Sequence, residues 1–264
     1  MSDKKGVYVT TKLNGEVSYR ASLTYRGKHI ALGSFGTCEQ AAEAYEIGME
    51  VLTNPEIRIE DYVREFALPF DKFIVLINFR DNKMYLPNPI YVRKRYISYY
   101  LEEKKELKFS KDDLFYYMSH RILKKGGHLY VNDYGMQVSL GTRYGIKRYA
   151  KSGVDYKFVN GDEYDYRYEN IEILNMYNGV KYVEGAKKHG YCTKIHEGSD
   201  LVVGYYEDAV YAAIAYNKAA DTLKKHGIEC EYVLNYIEGL SPKAYADIYS
   251  EIELSKNVLE RRKQ

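Results

Sequence analysis

The chain has 264 residues, with 39 Lys and Arg against 37 Asp and Glu and a formal net charge of +2. That length accommodates two or three compact domains of roughly 100 residues each, and the near balance of charge excludes a polycation, so any nucleic-acid affinity has to come from where the charge sits. No apolar run approaches the roughly 18 residues that span a bilayer, and the polar start MSDKKG is no signal peptide. A soluble, intracellular protein that avoids membranes is expected.

Three widely spaced cysteines, Cys38, Cys192 and Cys230, suit neither a disulfide framework nor a cysteine zinc site and are expected to be reduced thiols. The 31 tyrosines stand beside no tryptophan. A tyrosine carries an apolar ring with a hydroxyl at its tip, which suits half-buried sheet positions, protein interfaces and base stacking alike.

At the N-terminus, GVYVTTK and SYRASLT alternate apolar and polar residues, the period of strands with one buried face, and Asn14-Gly15 supplies hairpin turn chemistry. Thr37 and Gln40 form a capping-box pattern, so a helix is predicted to start there, with Ala41, Ala42, Tyr45, Gly48, Met49 and Leu52 on its inner side. Lys4, Lys5, Lys12, Arg20, Arg26 and Lys28 all precede this helix, whereas Glu39, Glu43, Glu46 and Glu50 lie on it. A basic sheet backed by an acidic helix is suited to placing the sheet against phosphates.

From Phe66 to Asn175 the order is less regular. FDKFIVLINF reads as a buried strand, and Pro89 is placed for the first turn of a helix, with Arg93, Lys94 and Arg95 on a solvated face of it. Ser110 and Asp113 give a cap pattern before LFYYMSHRIL, whose apolar face is Leu114, Phe115, Met118 and Ile122. GGHLYVNDYGMQVSL alternates like a hairpin.

The first module then returns near the C-terminus. LGSFGTCEQAAEAYEIGMEVL (Leu32 to Leu52) pairs with VGYYEDAVYAAIAYNKAADTL (Val203 to Leu223), aligning Gly33, Ala41, Ala42, Ala44 and Tyr45 with Gly204, Ala212, Ala213, Ala215 and Tyr216. Upstream, the Gly-Val at Gly6 aligns with that at Gly179, and downstream EDYVREFALP echoes CEYVLNYIEGLSP. Asp208 takes the cap position of the second helix. In the tail, Ser241 and Pro242 open a helix with Tyr245, Ile248, Tyr249, Ile252 and Leu259 on one side, a stripe that packs on the second repeat or on another subunit.

The order G-V, an aromatic-x-A-x-aliphatic strand, then L-G-x-F-x-T-x-E-x-A-A-x-A-Y is similar to the Apetala-two (ethylene-response-factor) DNA-binding domain of plant transcription factors and phage homing endonucleases. The residues that carry the likeness are Gly6, Val7, Ala21, Leu23, Leu32, Gly33, Phe35, Thr37, Glu39, Ala41, Ala42, Ala44 and Tyr45. The resemblance implies a three-stranded sheet laid in the major groove of double-stranded DNA with the helix behind it. The family's arginine cluster after G-V is replaced by Tyr8, Thr10 and Lys12, so its preferred sequence does not transfer. Alternation places Arg20, Ser22 and Thr24 on the same open face as Tyr8, Thr10 and Lys12, joined by Arg26 and Lys28. The second copy offers Cys192, Lys194 and His196, with Lys181 before them, weakened by Glu184, Glu197 and Asp200.

NGDEYDYRYENIEIL resembles the HNH endonuclease motif H-x-N-G-D-x-x-D-N-R-x-E-N-L, matching it at Asn160, Gly161, Asp162, Asp165, Arg167, Glu169 and Asn170. The histidine positions hold Lys157 and Phe158, and the central asparagine position holds Tyr166. Phenylalanine neither takes a proton nor binds a metal, so no catalytic residue and no metal or other cofactor is expected. A DNA grip through Tyr130, Asn132, Arg143, Lys147, Arg148 and Lys151 is what such a domain retains.

The expected architecture is α+β, two three-stranded antiparallel sheet-plus-helix modules (residues 1–65 and 176–240) flanking a central HNH-like ββα domain (66–175), with a C-terminal helix (241–264). The expected function is sequence-specific double-stranded DNA binding by a nuclease-inactive relative of phage homing endonucleases, a regulator in the cytoplasm of a bacterial host and associated with its nucleoid. Two alternatives stay open. One is a phage inhibitor that binds a host defence protein, and the other is a residual metal-dependent nuclease relying on His120 or His128.

Overall fold

The computed structural model describes residues 4–11, 13–147, 150–185 and 188–262. The chain is α+β, with five small antiparallel sheets of two or three strands and six α-helices among the described residues. It divides into two compact units, Met1–Tyr144 with Val159–Ile171, and Gly145–Phe158 with Glu172–Gln264.

The first unit opens with strands β1 (Val7–Thr11), β2 (Val17–Tyr25) and β3 (Lys28–Phe35) in the order β1-β2-β3, followed by helix α1 (Cys38–Thr53). Thr37 caps α1, its hydroxyl accepting from the Gln40 N–H at 3.2 Å. Val7, Ala21, Leu23, Ile30 and Leu32 are buried against Ala41, Ala42, Ala44, Val51 and Leu52 of the helix. The helix thus covers one side of the sheet and leaves the other open.

Helix α2 (Phe70–Asn82) is formed by the segment that reads as a strand. Its residues Phe73 to Phe79 are all buried, because α2 packs on α1 on one side and on the next sheet on the other. An element covered all round shows no amphipathic period, and a ten-residue apolar run then cannot be told from a strand.

Pro89 starts no helix. It precedes β4 (Ile90–Val92), β5 (Tyr96–Glu102) and β6 (Lys105–Ser110), a three-stranded sheet whose Ile90, Ile97, Tyr99, Leu107 and Phe109 are buried. The Pro89 carbonyl accepts from the Tyr100 N–H at 2.9 Å, and a proline at the start of a strand loses no ladder hydrogen bond. Arg93, Lys94 and Arg95 therefore form a hairpin turn and not a helix face.

Helix α3 (Leu114–Ser119) is shorter than the pattern predicts. The Ser110 side chain caps nothing there, and Asp113 is turned inward as a buried carboxylate. Tyr117 is the fully buried residue of α3 while Phe115 is exposed, and Ile122 belongs to the next strand. That strand, β7 (Ile122–Lys125), pairs with β8 (His128–Asp133) and β8 with β9 (Met136–Ser139), so the alternating stretch is a hairpin as expected. A short two-stranded sheet follows, β10 (Tyr156–Phe158) with β11 (Ile171–Ile173).

The second unit repeats the first architecture. β12 (Val180–Gly185), β13 (Lys188–Glu197) and β14 (Ser199–Tyr206) run in the order β12-β13-β14 before helix α4 (Ala209–Lys225), which Asp208 caps through the N–H groups of Val210 and Tyr211. The tail is two helices and not one, α5 (Pro242–Glu251) and α6 (Lys256–Leu259). Ser255 explains the break: its N–H donates to Val203 O at 3.0 Å and its hydroxyl bonds to Val202 O, tying the chain to β14. Ile252 and Val258 are buried in the same core as α4, whereas Leu259 is exposed.

The two repeats agree in detail. Gly6 and Gly179 adopt φ of 74° and 71°, and a Cβ on either would collide with the ring of Tyr45 or Tyr216. The Gly6 carbonyl accepts from Ser22 N at 3.0 Å, and that of Gly179 from Lys194 N at 2.8 Å. Both central strands carry a register shift at the same place, between Ala21 and Ser22 and between Thr193 and Lys194.

Candidate nucleic-acid interface

Strand register fixes the open face of the first sheet. Tyr8 stands opposite Arg20, Thr10 opposite Ser18, Arg20 opposite Ser34, Ser22 opposite Ala31, and Thr24 opposite His29. The five residues that alternation placed together do share this side, except that Lys12 lies outside the described residues. None of the nine residues named in these pairs is acidic. Sequence reasoning missed Ser18, His29, Ala31 and Ser34, because the register shift breaks the period in β3, where Leu32 is the extra residue and turns inward. The signal present was the Leu32-Gly33 pair beside an otherwise regular strand.

Exposure differs along the face. Tyr8 is 57% exposed and Arg20 and Thr24 are exposed, but Ser22 is only 8% exposed, a small side chain overshadowed at mid-sheet. Ser22 can therefore line the face but reaches out little. Thr10 Oγ1 lies 2.8 Å from Ser18 Oγ, so the two hydroxyls orient each other. Arg20 makes no ion pair or hydrogen bond with the described residues, which leaves all five of its N–H donors available.

At the tip of this hairpin, Arg26 and Gly27 form the two-residue turn with φ of 48° and 76°. Two positive φ values are those of a type I′ turn, where Asn-Gly or Gly-Gly is usual. An arginine in the left-handed region costs of order 1 kcal/mol, and local strain of this kind clusters where a side chain has a task. Its guanidinium lies 5.4 Å from the Tyr25 ring centroid, and Lys28 Nζ lies 4.9 Å from that of Tyr85.

The second face is differently equipped. Lys181 stands opposite Cys192, Cys192 opposite Tyr205, Lys194 opposite Val202 and His196 opposite Asp200. Lys181 and Lys194 are exposed, but Cys192 is buried and presents little. His196 Nδ1 lies 3.0 Å from Asp200 Oδ1, and this contact holds the Asp200 carboxyl below its ordinary value. Where the first hairpin has Arg26, the second turns at Gly198 next to Glu197, whose carboxylate is engaged by Arg261.

The basic residues expected to grip DNA between the repeats are committed internally. In the first unit, Arg143 donates to the buried Asp113 carboxylate through Nε at 2.8 Å and through a terminal nitrogen at 2.6 Å, with its guanidinium 4.1 Å from the Tyr116 ring. In the second unit, Lys147 Nζ donates to the carbonyls of Met176 at 2.8 Å and Tyr177 at 2.6 Å, and burial pushes its ammonium below the ordinary lysine value against the pull of Asp155. Lys151 Nζ pairs with Glu184 at 2.6 Å. Arg148 lies outside the described residues.

The nuclease-like motif residues hold a loop together. In the first unit, Asp165 is fully buried and accepts from Arg167 Nε at 2.8 Å, from an Arg167 terminal nitrogen at 2.6 Å and from Asn160 Nδ2 at 2.9 Å. Burial alone would push this carboxyl up, but these donors outweigh it and the group stays below its ordinary value. Asn170 closes the knot, accepting from Asn160 N–H at 2.8 Å and donating to Asp165 O at 2.8 Å, while Lys108 pairs with Asp162 at 2.8 Å. His120 stacks on Tyr116 and lies 3.4 Å from Asp133. Lys157 pairs with Glu172 at 2.9 Å in the second unit. Among the described residues no group of three or more His, Cys, Asp or Glu is placed to hold a metal ion, and no helix is long and apolar enough to cross a membrane.

Comparison of the chain with protein-family models, with curated proteins and with solved structures gives no match.

Proposed function

We propose that the protein is a sequence-specific double-stranded DNA-binding protein, related to HNH homing endonucleases of phage type but without nuclease activity, and that it acts as a phage or prophage regulator. In this reading residues 1–65 and 176–240 are Apetala-two-like readers on either side of a non-catalytic HNH-like segment, and the tail supports the second reader. The observation that carries it is the open face of the first sheet. That face combines an uncommitted arginine, exposed Tyr8 and Thr24, and a strained Arg26 at its tip, with no carboxylate among its register-paired residues. Arginine reaches guanine acceptors or phosphates and threonine contacts a thymine methyl, the vocabulary of major-groove reading. The second face contributes less, since His196 is spent on Asp200.

The test is an electrophoretic mobility shift on random-sequence duplex at two salt concentrations, followed by selection of bound sequences. Enrichment of a motif, with affinity falling steeply in salt, supports the reading; no shift at low salt removes it. Incubation of duplex with magnesium or manganese is expected to yield no cleavage, and cleavage abolished by His120→Ala would restore the nuclease alternative.

One observation favours a second reading, an inhibitor of a host defence protein. Val233, Leu234 and Tyr236 are exposed together in the segment after α4, to 72%, 52% and 85%. Contiguous exposed apolar side chains often mark a protein interface. A stoichiometric partner retained from host lysate after nuclease treatment would support it.

A further inference from the structure

We infer that the second unit holds a site for an unpaired, phosphorylated nucleotide, in the cleft between the open face of β12 and β13 and the segment 230–233. The inference stands apart from the duplex reading of the first sheet, since it uses other residues and other ligand chemistry. The cleft has a volume of about 740 Å³, within the range of small-molecule sites and ample for one nucleotide. A duplex laid on a sheet needs an open face, whereas here a strap of chain stands beside the face.

The strap is held firmly. Asn235 N–H donates to Asn217 Oδ1 at 2.7 Å, and Asn217 Nδ2 returns a bond to Asn235 O at 2.9 Å. Asn235 Oδ1 accepts from Asn178 N–H at 2.6 Å, and Asn178 Nδ2 donates to Val233 O at 3.3 Å. Both Asn217 and Asn235 are buried, so these bonds are shielded from competition with water. The cleft is therefore preformed, which spares the ordering cost of binding.

Its walls divide by chemistry. On the sheet side, Lys181 and Lys194 make no ion pair or hydrogen bond with the described residues, so both ammonium groups are available to a phosphate. On the strap side, Tyr232 and Val233 offer apolar surface to a base. The Tyr232 hydroxyl is buried without a hydrogen-bond partner, with only the Cys230 sulfur nearby. A buried unpaired hydroxyl is costly unless something completes it, and a base edge or sugar hydroxyl would. Glu231 and Asp200 also line the cleft and can accept from exocyclic amines. Two lysines set apart from aromatic surface are the elements of single-strand binding, in which bases stack and phosphates are held electrostatically.

Fluorescence anisotropy of the full chain with a labelled, 5′-phosphorylated oligothymidylate tests this, with thymidine monophosphate and unphosphorylated thymidine as competitors. Binding is expected, weakened about tenfold or more in Lys181→Ala/Lys194→Ala and reduced several-fold in Tyr232→Phe, which keeps the ring. Arg20→Ala should leave it unchanged. Displacement by the monophosphate identifies a free nucleotide as a sufficient ligand, while displacement only by unlabelled oligonucleotide identifies an unpaired nucleotide within a strand. Either result supports the site. Absence of binding, or binding indifferent to the double lysine variant while that variant retains its native melting temperature, would overturn it. Loss of binding in Arg20→Ala would overturn it too, by moving the single strand to the first sheet.

Discussion

The two sheet-and-helix repeats share a scaffold and differ in what they present. Gly6 and Gly179, Tyr45 and Tyr216, and the matching register shifts give the same backbone path. On that backbone the first open face carries Arg20 with nothing to neutralise it, and the second carries a His196–Asp200 pair and a cleft closed off by the strap after α4. The lesson is that the buried side of a repeat reports its fold, while the exposed side alone reports its task.

The sharpest way to break the equivalence of the scaffolds is to place a methyl under each tyrosine. Gly6→Ala and Gly179→Ala each force a Cβ into the ring of Tyr45 or Tyr216 at a positive φ. Each is expected to cost roughly 3 kcal/mol, visible in chemical denaturation. A loss at one site only would show that the copies are not structurally equivalent.

A change outside both faces provides the control. Asp165→Asn removes a buried carboxylate that accepts from Arg167 and Asn160, and a loss of about 2 kcal/mol is expected. Because the folded pKa of Asp165 is depressed, its contribution is present above the unfolded value of about 3.9 and is lost as pH falls through the folded one. Acid titrations of stability should therefore be flatter for the variant below about pH 4. Its duplex affinity at neutral pH should match that of the native chain.

The faces themselves should then separate. Arg20→Ala is expected to weaken duplex binding about tenfold, within the roughly 1–3 kcal/mol of one good base contact, and to relax preference at one position of the selected sequence. Lys194→Ala on the second face should change duplex affinity by less than about twofold, the modest effect of one exposed cation. Equal effects in a gel-shift titration would erase the distinction between the two faces.

Much of this arrangement was legible in the chain. The repeat, its caps at Thr37 and Asp208, and the alternation that puts Tyr8, Arg20 and Thr24 on one side follow from periods of 2 and 3.6 read against small and aromatic residues. What failed did so for identifiable reasons. The α2 segment is buried on all sides and so has no polar stripe, and the β-branched run after Pro89 pairs as a sheet through contacts distant in sequence. Arg143, Lys147 and Lys151 are ordinary basic residues in the sequence, and only the fold reveals that Asp113, two backbone carbonyls and Glu184 already engage them. The strap beside the second face was equally invisible, because Asn217 and Asn235 meet only once α4 is in place.

The most direct test of the account is the salt dependence of duplex affinity, measured for the native chain and for Arg20→Ala/Arg26→Ala on the same selected sequence. The account predicts a steep fall of affinity with salt for the native protein, and a slope lowered by about 0.9 for each phosphate contact removed, so by roughly one to two in the double variant. A native chain without duplex affinity in low salt, or a slope unchanged by both substitutions, would contradict the claim that the first sheet lies against DNA.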